Sequence, residues 1–105
     1  TFTTNYETMI SNMRTTYPNA DIFIFTQLPY SSNSAEKIEL YNNVIRTTAN
    51  KTQNCYVVDL FANSGINENN LSTFMGDRSA HPNALGMDKI TETLINALEE
   101  KYLNN

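Results

Sequence analysis

The chain has 105 residues, 40% of them hydrophobic, and carries 11 acidic against 7 basic side chains for a formal charge of −4. A chain this short builds one domain around one modest core, burying roughly 65% of the surface its unfolded form exposes. Its cations, Arg14, Lys37, Arg46, Lys51, Arg78, Lys89 and Lys101, are scattered; no nucleic-acid partner is expected, because phosphate binding needs clustered Lys and Arg. No apolar run approaches the roughly 20 residues of a membrane span.

The first element is read from Phe2, Tyr6, Met9, Ile10, Met13 and Tyr17, whose i, i+3, i+4, i+7 spacing lines one face of a helix that Pro18 stops. After the turn signals of Tyr17 to Ala20, the run Asp21 to Leu28 is rich in Ile and Phe and ends at Pro29. An apolar run without strict alternation fits a strand covered on both faces of a parallel sheet. Asn33 stands three residues before Glu36, a capping-box spacing for the next helix, whose face carries Ile38, Tyr41, Val44, Ile45 and Thr48.

A second β-rich run spans Cys55 to Phe61. Cys55, the single cysteine, is read there as a small buried thiol, since free Cys is most often found inside. The following stretch, Ala62 to Asn83, holds Gly, Asn and Ser signals and no sustained period; it reads as a long loop with one short turn near Leu71 to Met75, and loops of that length are often functional. The last element, about Ala84 to Tyr102, is a helix with Met87, Ile90, Leu94, Leu98 and Tyr102 on one stripe.

The order helix, strand, helix, strand, loop, helix implies an α/β fold with a parallel sheet and helices on its faces. Two strands leave open edges that seek a partner, so the pattern is that of part of a larger sheet. The chain begins at Thr1 and not at Met, which is expected of an incomplete translation product. No signal peptide is visible, and the cellular location stays open.

In open α/β sheets ligands bind beyond the carboxyl ends of the strands. The loops there are Pro29 to Ser34 and Ala62 to Asn83. Pro29 and Tyr30 are candidate pocket-lining residues, and the second loop holds Asp77 and the only histidine, His81. A neutral imidazole held by a carboxylate through one ring nitrogen takes a proton through the other, the general-base half of a hydrolase triad. A solvated His beside an incidental Asp fits the same residues, and so does a His capping the last helix. Asp59 is an alternative orienter for His81, or an acceptor for backbone N–H groups in the loop that follows it. One His, one Cys and dispersed carboxylates make no convincing metal set. The three glycines make no phosphate cradle, so neither metal nor cofactor is expected. No Gly-x-Ser-x-Gly elbow is present, and the serines sit where caps and turns use them.

Three stretches, Tyr6 to Tyr30, Lys37 to Phe61 and Asp77 to Met87 (DRSAHPNALGM), together resemble the carboxy-terminal half of an SGNH hydrolase, the GDSL-type esterase and lipase family. The resemblance implies a three-layer α/β/α flavodoxin-like fold, of which residues 1–105 are a single domain or the carboxy-terminal fragment. It implies a serine ester hydrolase with His81 as general base and Asp77 as its orienting carboxylate, acting on a small ester or acylated carbohydrate. The family takes its nucleophilic Ser and its oxyanion donors from motifs that would lie upstream of Thr1, so this chain alone is expected to be inactive. The family's Asp usually stands three residues before its His, whereas Asp77 stands four before His81 and Arg78 fills the nearer position. The competing reading is a small non-enzymatic α/β interaction module. It would pair through its open strand edge with a second copy or with a missing amino-terminal half.

Overall fold

The computed structural model describes residues 1–76 and 81–103. Helix α1 spans Phe2–Thr16, strand β1 Ile22–Phe25, helix α2 Ala35–Asn50, strand β2 Cys55–Val58, the single turns α3 and α4 Leu60–Asn63 and Leu71–Phe74, and helix α5 Ala84–Tyr102. The strands pair in parallel, with Ile22 beside Cys55 and Phe25 beside Val58. Because side chains alternate along a strand, Ile22, Ile24, Cys55 and Val57 face one way and Phe23 and Tyr56 the other. The first set packs with Ile10 of α1 and Ile45 and Ala49 of α2. The second meets α5, where Phe23 lies between the rings of Tyr56 and Tyr102, at 5.3 and 6.1 Å. The chain is therefore three layers deep, helices α1 and α2 over the sheet and α5 beneath it.

Several sequence expectations need adjusting. The second strand is shorter than the apolar run implied, because Asp59 leaves the ladder to cap α3 by accepting from Ala62 N. β1 is covered unequally on its two faces: Ile22 and Ile24 are buried, whereas on the α5 side Phe23 is partly covered and Phe25 exposed. Asn33 does not cap α2; the cap position is Ser34, and Asn33 accepts from Ser31 Oγ instead. Cys55 is half-buried against the core rather than enclosed, and desolvation still pushes its thiol up against the lowering influence of Arg14. On α5, Ile90, Leu94 and Leu98 are partly covered as expected, but Met87 and Tyr102 are exposed and the buried positions are Gly86 and Thr93.

The reason α5 rotates this way lies in its first turn. A Cβ added at Gly86 would stand 2.1 Å from the Phe74 carbonyl oxygen and 3.0 Å from Pro82 Cβ. Only a residue without a side chain lets α5 approach the end of α4 so closely. Gly86→Ala is expected to destabilise the fold by roughly 1–3 kcal/mol, the usual range for overpacking a tight site. Thermal melts check it, and an unchanged melting temperature would show that the two turns separate freely.

At the opposite end of the sheet Arg14 gathers the chain. Its Nη1 donates to the carbonyls of Tyr17 and Ala20 at 2.9 and 2.7 Å, and its Nη2 to those of Gln53 and Asn54 at 2.6 and 3.2 Å. One guanidinium thus ties together the entrances of both strands, a use of its fork geometry that Lys could not copy.

Candidate active-site rim

The carboxyl ends of both strands are locked to each other by side chains. Thr26, almost fully buried, donates its hydroxyl to Asp59 Oδ1 at 2.9 Å and accepts from Phe61 N at 3.0 Å. Arg46 of α2 grips the same carboxylate in a fork, Nε to Oδ2 at 2.9 Å and Nη2 to Oδ1 at 3.1 Å, and also reaches Glu39 at 2.9 Å. Charge-assisted bidentate pairs of this kind hold geometry as well as energy.

Burial alone would push the Asp59 carboxyl up, but the hydrogen bonds from Arg46, Thr26 and Ala62, with the Arg46 charge, hold it below its ordinary range. A carboxyl lowered in the folded state contributes stability that is complete above its unfolded value of about 3.9 and is lost as pH falls through the folded value. Wild-type protein is therefore expected to lose denaturant resistance below about pH 4, whereas Asp59→Asn starts lower at neutral pH and shows a shallower acid limb. Parallel pH profiles for the two proteins would contradict this.

Asp59 is thus spent on the scaffold. Its reading as an acceptor for backbone N–H groups in the loop that follows agrees with the Ala62 bond.

The loop after β1 is fixed by a residue that hydrophobic spacing passes over. Asn42, fully buried on α2, accepts from Gln27 N at 2.7 Å and donates to Gln27 O at 3.0 Å. It occupies the i, i+4, i+7 row of Ile38, Asn42 and Ile45, so the signal available in sequence was a lone amide between two core isoleucines. Ser34 closes the next turn by accepting from the N–H groups of Tyr30 and Ser31 and donating to Ser31 O. Pro29 is fully buried and Tyr30 exposed beside it.

Glu68, from the second loop, accepts from Ala35 N at 3.0 Å and so supplies the acceptor that the first turn of α2 lacks locally. A carboxylate there also matches the positive end of the helix dipole. This contact joins the two rim loops, and between them lies an open cleft of about 510 Å³ lined by Ser31, Ser32, Glu68, Asn69, Leu71, Ser72 and Gly76.

His81 is exposed at the edge of this rim. Its carbonyl accepts from Gly76 N at 2.6 Å, and the neighbouring Met75 and Pro82 form an antiparallel bridge. Met75 is buried with Ile66 and Leu71, so one arm of this small hairpin is anchored in a satellite core and the other carries the imidazole. Asp77 lies outside the described residues. Among the described residues, no group of three or more His, Cys, Asp or Glu side chains could hold a metal ion, and no helix is long and apolar enough to cross a membrane.

The GDSL-like Lipase/Acylhydrolase family profile matches residues 1–89. A search of curated proteins returned no match. Among solved structures, the chain is similar to a protein provisionally described as a platelet activating factor from Streptococcus pneumonia, with a TM-score of 0.77 and 19% identity over 91% of this chain and 50% of that one. At that identity the likeness is one of fold, and the chain spans half the length of the structure it matches.

Proposed function

The chain belongs to the GDSL-like lipase/acylhydrolase family, and from that premise we propose that it is the carboxy-terminal part of a serine ester hydrolase domain in which His81 is the general base. The observation that carries the reading is where His81 stands. It stands at the carboxyl rim, where its carbonyl accepts from Gly76 N, five residues past Gly76 at the end of the rim cleft and three before α5. A Ser from the upstream half attacks the ester carbonyl while His81 takes its proton, and upstream donors stabilise the resulting oxyanion. Collapse breaks the bond to the leaving alcohol, which receives that proton from His81. Water then attacks the acyl-enzyme, again through His81, and frees the acid and the Ser. Asp77 orients the imidazole and stabilises its charged form.

The half-length match supports an upstream partner for this sheet. So does the surface of α1, where Met9, Met13 and Tyr17 are exposed although they continue its apolar stripe. The cleft supports a small ester with a polar alcohol, such as an acylated carbohydrate, because Ser31, Ser32, Asn69 and Ser72 offer it hydrogen-bonding groups. Of the two candidate pocket residues, Tyr30, exposed, takes the adjoining wall, and Pro29, fully buried, stands behind it.

The test is hydrolysis of a short-chain p-nitrophenyl ester by the protein that includes the upstream segment, together with labelling of a single upstream Ser by a fluorophosphonate. The 105-residue chain alone is expected to show neither. Ester turnover by this chain that survives His81→Ala would sink the reading. A stable, cooperatively melting homodimer of the isolated chain would instead favour pairing through the strand edge.

A further inference from the structure

Asn83 holds the two sides of the His81 hairpin to one another. Its Oδ1 accepts from Gly86 N at 2.9 Å, the bond that starts α5. Its Nδ2 donates to the Thr73 carbonyl at 2.9 Å and stands 3.4 Å from the Met75 carbonyl, while its backbone N–H donates to the Phe74 carbonyl at 2.9 Å. Carbonyls in the last turn of a helix have no partner within it, so a single residue both begins α5 and satisfies the end of α4. A cap needs only the Oδ1 bond; the Nδ2 contacts are additional. The Met75–Pro82 bridge lies next to this cap, with His81 directly before Pro82.

We propose that Asn83 is a positioning residue for His81: its carboxamide sets the distance between α4 and α5, and with it the base of the hairpin from which the imidazole projects. The proposal rests on the reading of His81 as general base. A displacement of about 1 Å at a reacting group costs on the order of 100-fold in rate, and on this side Asn83 and the buried Met75 anchor the base from which His81 returns.

The two halves of the carboxamide are separable by substitution. Asn83→Asp keeps the cap acceptor and adds a charge that the start of α5 favours, yet it turns the donor aimed at Thr73 and Met75 into a second acceptor. Asn83→Ser keeps a short cap and loses the reach. In the intact protein both variants are expected to fold with a melting temperature within a few degrees of wild type. Their turnover of a p-nitrophenyl ester should fall about 10- to 100-fold with KM little changed, and the imidazole Cε1–Hε1 NMR signal, assigned by its loss in His81→Gln, should shift in both. Lys51→Ala, at the far end of the sheet, should leave that signal in place.

Wild-type turnover and an unmoved imidazole signal in both Asn83 variants would overturn the proposal. So would a loss of turnover with the signal unmoved, which would put the effect of Asn83 elsewhere. If the signal shifts in both variants while the wild-type protein hydrolyses no ester, the positioning role holds and the hydrolase reading is the one that fails.

Discussion

Replacing His81, the proposed general base, with Ala in the protein that includes the upstream segment is expected to lower ester turnover by at least about 10⁴-fold, because removing the base of a triad leaves only the oxyanion donors and substrate binding to accelerate the reaction. The same change should leave stability within about 0.5 kcal/mol, the range for surface substitutions that touch no special feature. His81 is exposed, and among the described residues the hydrogen bond it makes is through its carbonyl, which Ala keeps. Activity and folding are therefore separable at this position, and a circular-dichroism melt beside a kinetic assay reads both. A melt unchanged with turnover reduced less than tenfold would remove His81 from the mechanism. Asp77→Ala in the same protein tests the orienter. A loss approaching that of His81→Ala assigns the role to Asp77 despite its four-residue spacing, and a loss under tenfold moves it to a backbone carbonyl.

The elements with a dominant period were legible in the sequence. The stripes of α1 and α5 gave bounds within a residue of those observed, since helix period and the stop at Pro18 act locally. Of the two short turns, α4 was read as a turn near Leu71 to Met75, whereas α3 was obscured because a four-residue helix carries no period of its own. β2 was read three residues too long because Leu60 and Phe61 look the same whether they extend a strand or open a turn. At the rim, His81 stood out by being unique. The residues that hold the rim did not, because each acts across a distance in sequence: Arg46 on Asp59, Glu68 on Ala35 and Asn83 on Thr73. Polar residues of these types are ordinary on exposed helix faces and in loops, and only the fold distinguishes a solvated one from one spent on a remote backbone group.

Asn42→Leu is expected to be the most damaging single substitution for the fold, costing roughly 2–5 kcal/mol against a total stability of about 5–15 kcal/mol for a domain. Leu has the same number of side-chain heavy atoms as Asn and the same branch point, so shape is not the main term. Gln27 would lose the partners of both its N–H and its C=O at once, and an unsatisfied buried polar group costs about 1–3 kcal/mol. Asn42 also donates to Glu39 Oε1 at 3.3 Å, which links it to the Arg46–Asp59 pair, so the loss would spread to the joint between the strand ends. Asn42→Asp separates the two bonds: it still accepts from Gln27 N, cannot donate to Gln27 O when ionised, and sets a second carboxylate near Glu39. That variant should be destabilised at neutral pH and partly recover as pH falls and the new carboxyl gains a proton. Hydrogen exchange at the Gln27 amide reports the local event directly. Its protection should fall in Asn42→Leu by more than the global change in stability accounts for, because the segment leading to Pro29 and Tyr30 is released before the sheet opens. If instead the Gln27 amide stays protected and Asn42→Leu melts with the wild type, the loop after β1 is held by its own turn at Ser34 and not by α2.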